Sequence, residues 1–219
     1  MTRIAVLARE KLGQPSWDAS LEALWRRCAL ASLADGRLVE PATAEVRRLT
    51  APDLVWSDVP PWPMEYWWDR ISAVRTAHHL AIAIDDRAWL EELFASWALA
   101  PEGEDGPVGL YARGQIGLAL GADGPRPQGW SAEEQSCLEE DGYLSRDGSP
   151  DQVWRALADG NRSRARHALA EYETMLAGLP QRWERAPDEG LRQALSHPDV
   201  VLQFERRALG VLVARATGT

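Results

Sequence analysis

Apolar residues recur at three- and four-residue spacing along most of the chain, and strict apolar/polar alternation is almost absent, so the pattern predicts helices. Ser16 is an N-cap candidate for a first helix carrying Leu21, Leu24, Trp25, Cys28 and Leu33 on one face, stopped by Asp35-Gly36. A short helix is expected at Thr43 to Leu49. Pro60, Pro61 and Pro63 then forbid helix and favour an extended, rigid loop. From Met64 the helical period returns in Trp67, Trp68, Ile71, Val74, His78 and Ala81 or Ile82, and Asp85-Asp86 offers an N-cap for the next helix, Arg87 to Leu99. Joined by so tight a turn, these two should pack as an antiparallel hairpin.

After an acidic connector from Pro101 to Pro107, the segment Val108 to Leu120 is apolar but contains Gly109, Gly114 and Gly117. Two readings fit it: a helix whose glycines admit a close neighbour, or a strand or irregular buried segment. The glycine- and proline-rich stretch 121–129 is a candidate sub-boundary or surface loop. Ser131 with Glu134 forms a capping box that opens a helix through Cys137 and Leu138. Ser149 and Pro150 take the N-cap and first position of a helix running through Trp154 and Leu157 to Asp159-Gly160. Arg162 to Ala177 should follow, with Ala165, Leu169, Tyr172 and Leu176 on one side and an end at Gly178 and Pro180. Arg182 to Arg185 would bridge to a helix at Asp188 to Leu195, and Pro198 should start a last helix to about Ala216, with a frayed terminus. Between Val153 and Pro180 the residue order follows a tetratricopeptide unit, but Gly160 and Tyr172 fall out of register and no second copy follows, so a generic helix hairpin explains it. The expectation is an all-α single domain spanning 1–219, an irregular bundle of about eight to ten helices packed as antiparallel hairpins.

Composition adds that the chain folds and that it is acidic. Hydrophobic residues make up 45% and charged residues 26%, well away from the disordered regime. The net charge of -9 repels nucleic-acid phosphates and anionic membranes on average and suits a basic partner. Cys28 and Cys137 lack metal or redox spacing and are expected to be buried thiols, without a disulfide. Residues 1–12 are too short and too charged for a signal or a membrane span, so cytoplasmic residence is expected.

Motifs for chemistry are scarce. His78 and His79 point about 100 degrees apart on a helix, with no HxxxH, so one is expected partly buried against a neighbour and one in solvent, with no metal. No GxSxG, SxxK, GxGxxG or phosphate-loop pattern occurs. Clustered carboxylates at Glu91-Glu92, Glu102 to Asp105, Glu139 to Asp141 and Asp188-Glu189 read as solvated faces or as an acidic surface for a basic protein. Of eleven tryptophans, Trp25, Trp67, Trp89, Trp97 and Trp154 are expected in the core, while Trp56 and Trp62, held among prolines, are candidates for surface recognition.

The corner Ala77 to Asp86, the run Ala156 to Gly160 and the helix Ala165 to Leu176 together resemble the helical immunity proteins that accompany bacterial polymorphic toxins, over residues 65 to 180. That resemblance implies stoichiometric binding of a toxin by occlusion, with no catalysis and no cofactor. Charge and aromatic placement nominate the partner-binding residues as Trp56, Asp58, Trp62, Glu102, Glu104, Asp105, Glu139, Glu140 and Asp141. Two other readings stay open: an enzyme or small-molecule binding protein with a pocket lined by Trp67, Trp68, Tyr111 and His78, and a helical adaptor or regulator.

Overall fold

The structure, a computed structural model, describes residues 47, 50–51, 56, 67–99, 107–121, 130–140, 150–185 and 203–218. All regular structure among them is helical: α1 (Trp67–Ala83), α2 (Arg87–Ser96) with a 3-10 turn (Trp97–Leu99), α3 (Pro107–Gly121), α4 (Ala132–Glu140), α5 (Pro150–Ala158), α6 (Arg162–Arg185) and α7 (Phe204–Thr217). The helices expected after Ser16 and at Asp188 to Leu195, and the loops around Pro60 and at 122–129, lie outside the described residues; of the helix expected at Thr43 to Leu49, Arg47 alone is described, and it is helical.

Two corners are built alike, each from a left-handed residue followed by a capping one. Asp85 takes φ 62°, Asp86 N–H closes onto the Ala81 carbonyl at 2.9 Å, and the Asp86 carboxylate then accepts the Trp89 N–H at 3.0 Å to start α2. Gly160 takes φ 66°, Asn161 N–H reaches the Ala156 carbonyl at 2.9 Å, and the Asn161 side chain accepts the Arg164 N–H at 3.0 Å to start α6. The capping box of α4 is reciprocal, Ser131 N–H donating to Glu134 at 2.7 Å and Glu134 N–H to the Ser131 hydroxyl at 3.2 Å.

The ambiguous segment after Pro107 is a helix, and Gly114 shows why glycine is tolerated in it. A Cβ at Gly114 would overlap the Trp130 indole, which lies across α3, stacks on Tyr111 at 5.5 Å and donates to the Leu110 carbonyl at 3.1 Å. Tertiary packing thus repays the helix propensity that glycine loses.

Two boundaries differ from expectation. Helix α6 runs through Gly178 and Pro180 to Arg185 rather than ending there. Gly178 does not take the left-handed φ that ends a helix, and proline's fixed φ is compatible with helix, removing only one backbone bond. Helix α7 starts at Phe204, after a left-handed Gln203 (φ 55°), rather than at Pro198. Its far end is capped, since Gly218 at φ 71° donates to the Arg215 carbonyl and the Thr217 hydroxyl to the Val213 carbonyl.

Helix α1 is the centre of the packing, touching α2, α3 and α7, while α5 and α6 close against α7 and α4 against α3. The core is filled by Leu80, Ile82, Trp89, Leu93, Tyr111, Ile116, Leu138, Trp154, Phe204 and Leu209. The expected core tryptophans Trp89, Trp97 and Trp154 are buried, and Trp130 joins them. Cys137, expected inside, is exposed, because Leu138 takes the inward face of α4. No helix among the described residues is long and apolar enough to cross a membrane.

Candidate functional site

Helices α1, α3, α5 and α7 meet around a buried polar cluster. It is assembled from positions that belong to apolar stripes by spacing but carry polar side chains. On α1, Arg75, His78 and His79 sit one turn apart among Val74, Ala77 and Ile82. On α3, Gln115 shares a stripe with Tyr111, Ala112, Ile116 and Ala119, and on α7, Glu205 precedes Ala208, Leu209 and Leu212.

Glu205 is the hub. One of its carboxylate oxygens accepts the Trp154 indole N–H at 2.9 Å and the Gln115 amide at 3.5 Å, with Arg75 Nη2 at 3.7 Å and His79 Nε2 at 3.6 Å. One side chain at the start of α7 therefore reaches groups on α1, α3 and α5. Placed in the first turn, its negative charge also faces the positive end of that helix. The Arg75 guanidinium lies 5.3 Å over the Tyr111 ring, and the Tyr111 hydroxyl donates to Asp151.

Both histidines are fully buried, which corrects the expectation that one faces solvent; α3 and α7 cover α1 from two sides. His78 Nε2 meets Gln115 Oε1 at 3.0 Å and its Nδ1 meets the Val74 carbonyl at 3.2 Å. A neutral ring has one N–H for these two acceptors, so one of the two oxygens is left without it. Burial, then the neighbouring His79 and Arg75, hold His78 well below the usual histidine range; burial and then Arg75 do the same to His79. Burial, then Asp151 and Glu205, push Tyr111 well up, so its hydroxyl stays a donor.

His79 differs from His78 in its partners. Its ring edges His78 at 4.3 Å and stacks on Trp154 at 6.0 Å, yet neither ring nitrogen has a hydrogen bond, the Glu205 oxygen being too far at 3.6 Å. The cluster ties four helices together. Among the described residues no group of three or more metal-ligating side chains converges.

The nominated partner-binding residues are scattered. Trp56 is buried, its ring 5.2 Å from Trp97, so its indole faces the core and not solvent. Glu139 is half-buried and paired with Arg155, and Glu140 is exposed on the same helix. Asp58, Trp62, Glu102, Glu104, Asp105 and Asp141 lie outside the described residues. Of the proposed pocket residues, His78 and Tyr111 both belong to the cluster, while the side chains of Trp67 and Trp68 are outside the description. Sequence reasoning missed Arg75, Gln115, Asp151 and Glu205. The signal for Gln115 and Glu205 was present: a polar residue at a stripe position must be satisfied inside. No known protein family, curated protein or solved structure matches this chain.

Proposed function

We propose that the chain is an immunity-type inhibitor, binding a basic protein toxin in the cytoplasm and neutralising it by occlusion, without catalysis or a cofactor. The observation that supports this best is the acidic outer face of α4. Glu133 and Glu140 are exposed there, while Glu134 and Glu139 are anchored to Arg113 of α3 and Arg155 of α5. Anchoring fixes the helix, so the exposed carboxylates present a rigid field that speeds encounter with a positive surface. Within this reading the whole chain is one domain of about eight to ten helices stacked as antiparallel hairpins, and the remaining nominated acids and Trp62 extend the contact.

The test is capture of a tight one-to-one partner from the producing cell, followed by the double reversal Glu133→Lys with Glu140→Lys. The reversal should weaken binding at least about tenfold, mostly through the association rate and more at low salt. Unchanged affinity in a folded double variant would reject α4 as the contact face. The competing reading, a small-molecule binding protein or enzyme, is favoured by one observation, the buried His79 without hydrogen-bond partners. It predicts the opposite pattern: function lost in His79→Gln and untouched by the α4 reversal.

A further inference from the structure

A fully buried imidazole that makes no hydrogen bond is costly, and His79 stands in that position beside a carboxylate. The groups facing it can be enumerated by element. They are Arg75 and His78 on its own helix, the neutral Gln115 on α3 and Glu205 on α7; Tyr111 of α3 and Asp151 of α5 join the cluster through Arg75 and each other. Of the other charged residues of the packed helices, Arg87 pairs with Glu91 on α2, Arg113 with Glu134, Arg155 with Glu139, Arg206 with Glu173 and Arg215 with Asp85, while Arg207, half-buried on α7, lies beside Arg206.

Arg75 Nη2 lies 3.7 Å from the Glu205 carboxylate, and His79 Nε2 lies 3.6 Å from the same oxygen. Of the two histidines, His79 is the better placed to take up a proton, because its Nε2 faces the Glu205 carboxylate, whereas the two oxygens that meet His78, those of Gln115 and Val74, are neutral. His79 has a bare nitrogen, and its Nε2 needs to move only a few tenths of an ångström to reach hydrogen-bond distance from Glu205.

We propose that His79 and Glu205 form a proton-operated latch between α1 and α7, open while the imidazole is neutral and closed when it takes up one proton. The proton comes from solvent and adds to the unprotonated ring nitrogen; no other bond is made or broken except that Glu205 turns toward His79. The same Glu205 oxygen holds Trp154, so closure is transmitted to α5 through the indole N–H. Mild acid therefore resets the junction of α1, α5 and α7 without a change of fold.

The test is a titration of the folded protein from pH 8 to pH 5. Histidine ring resonances are followed by NMR, with His79 identified by its loss in His79→Gln, and Trp154 emission is taken as the difference between wild type and Trp154→Phe. His79 should titrate while the protein is still folded, and Trp154 emission should fall at the same midpoint, since an imidazolium stacked on indole quenches it. In Glu205→Gln the midpoint should drop by about one to three pH units; should that variant fail to fold, Glu205→Asp, with a shorter reach, should lower it as well. The latch is overturned if His79 stays neutral until the protein unfolds, if His78 takes the proton instead, or if a folded Glu205 variant leaves the midpoint unmoved. The wild-type titration alone decides when neither variant folds.

Discussion

At the scale of single residues, two glycines in helices predict opposite outcomes for one substitution. Gly114 lies under the Trp130 indole, and Gly210 in α7 has nothing within 4 Å of where a Cβ would stand. Gly210→Ala should raise the stability by about 1 kcal/mol, the difference in helix propensity. Gly114→Ala gains the same propensity but pushes Trp130 off Tyr111 and breaks its bond to the Leu110 carbonyl, so it should cost about 1–3 kcal/mol net. Urea unfolding of the two variants checks the pair, and equal midpoints would contradict the packing at Trp130. Glu205 belongs to the same scale. Replacing it by alanine strands the Trp154 indole N–H and exposes Arg75 to an unbalanced site, and should cost about 1–3 kcal/mol, whereas Glu205→Gln keeps an acceptor for Trp154 and should cost less.

Among the elements, start signals that rest on a side-chain cap were readable, whereas stop signals and the proline start expected at Pro198 were not. Ser131 with Glu134 and Asp86 ahead of Trp89 are bonded as their sequence patterns require, because a cap is a contact between near neighbours. Gly178 and Pro180 misled, since nothing local says whether a glycine will turn left-handed or a proline will be carried within a helix. The register of α3 was ambiguous for a related reason: its glycines make sense only once Trp130, twenty residues away in sequence from Leu110, is seen lying across it. Asp86 gives a prediction at this scale. Its carboxylate caps α2 and also binds Arg47 at 2.9 Å. The ion pair is partly exposed and contributes little, so Asp86→Ala should lose about 1 kcal/mol, chiefly the cap, and Asp86→Asn should recover most of it. Thermal unfolding with both variants separates cap from charge: a failure of asparagine to rescue would move the weight to Arg47.

For the whole molecule, the helical character was written in the periodicity, whereas the polar cluster was not, because it is made of single residues on four helices that meet only in the folded chain. His78 and His79 were visible as a pair, but their burial follows from α3 and α7 closing over α1, and no pattern within α1 announces that. That burial has a consequence for the stability of the entire chain. Both rings are held below the ordinary histidine value of 6.5, so the folded state binds fewer protons than the unfolded one as the pH falls through that value. The stabilisation from keeping them neutral is fully present above pH 6.5 and is lost progressively toward the lower folded values. Each histidine contributes a slope of up to about 1.4 kcal/mol per pH unit in that window. Urea midpoints measured from pH 8 to pH 5 should therefore be flat at first and then fall, with a slope that grows toward two protons below pH 6.5. Once His79 accepts its proton in the folded state, the slope should ease toward one, since only His78 still resists. A variant with His78→Gln should grow toward one proton instead of two, and an acid limb indistinguishable from wild type in that variant would show that the buried pair does not govern the acid stability of this fold.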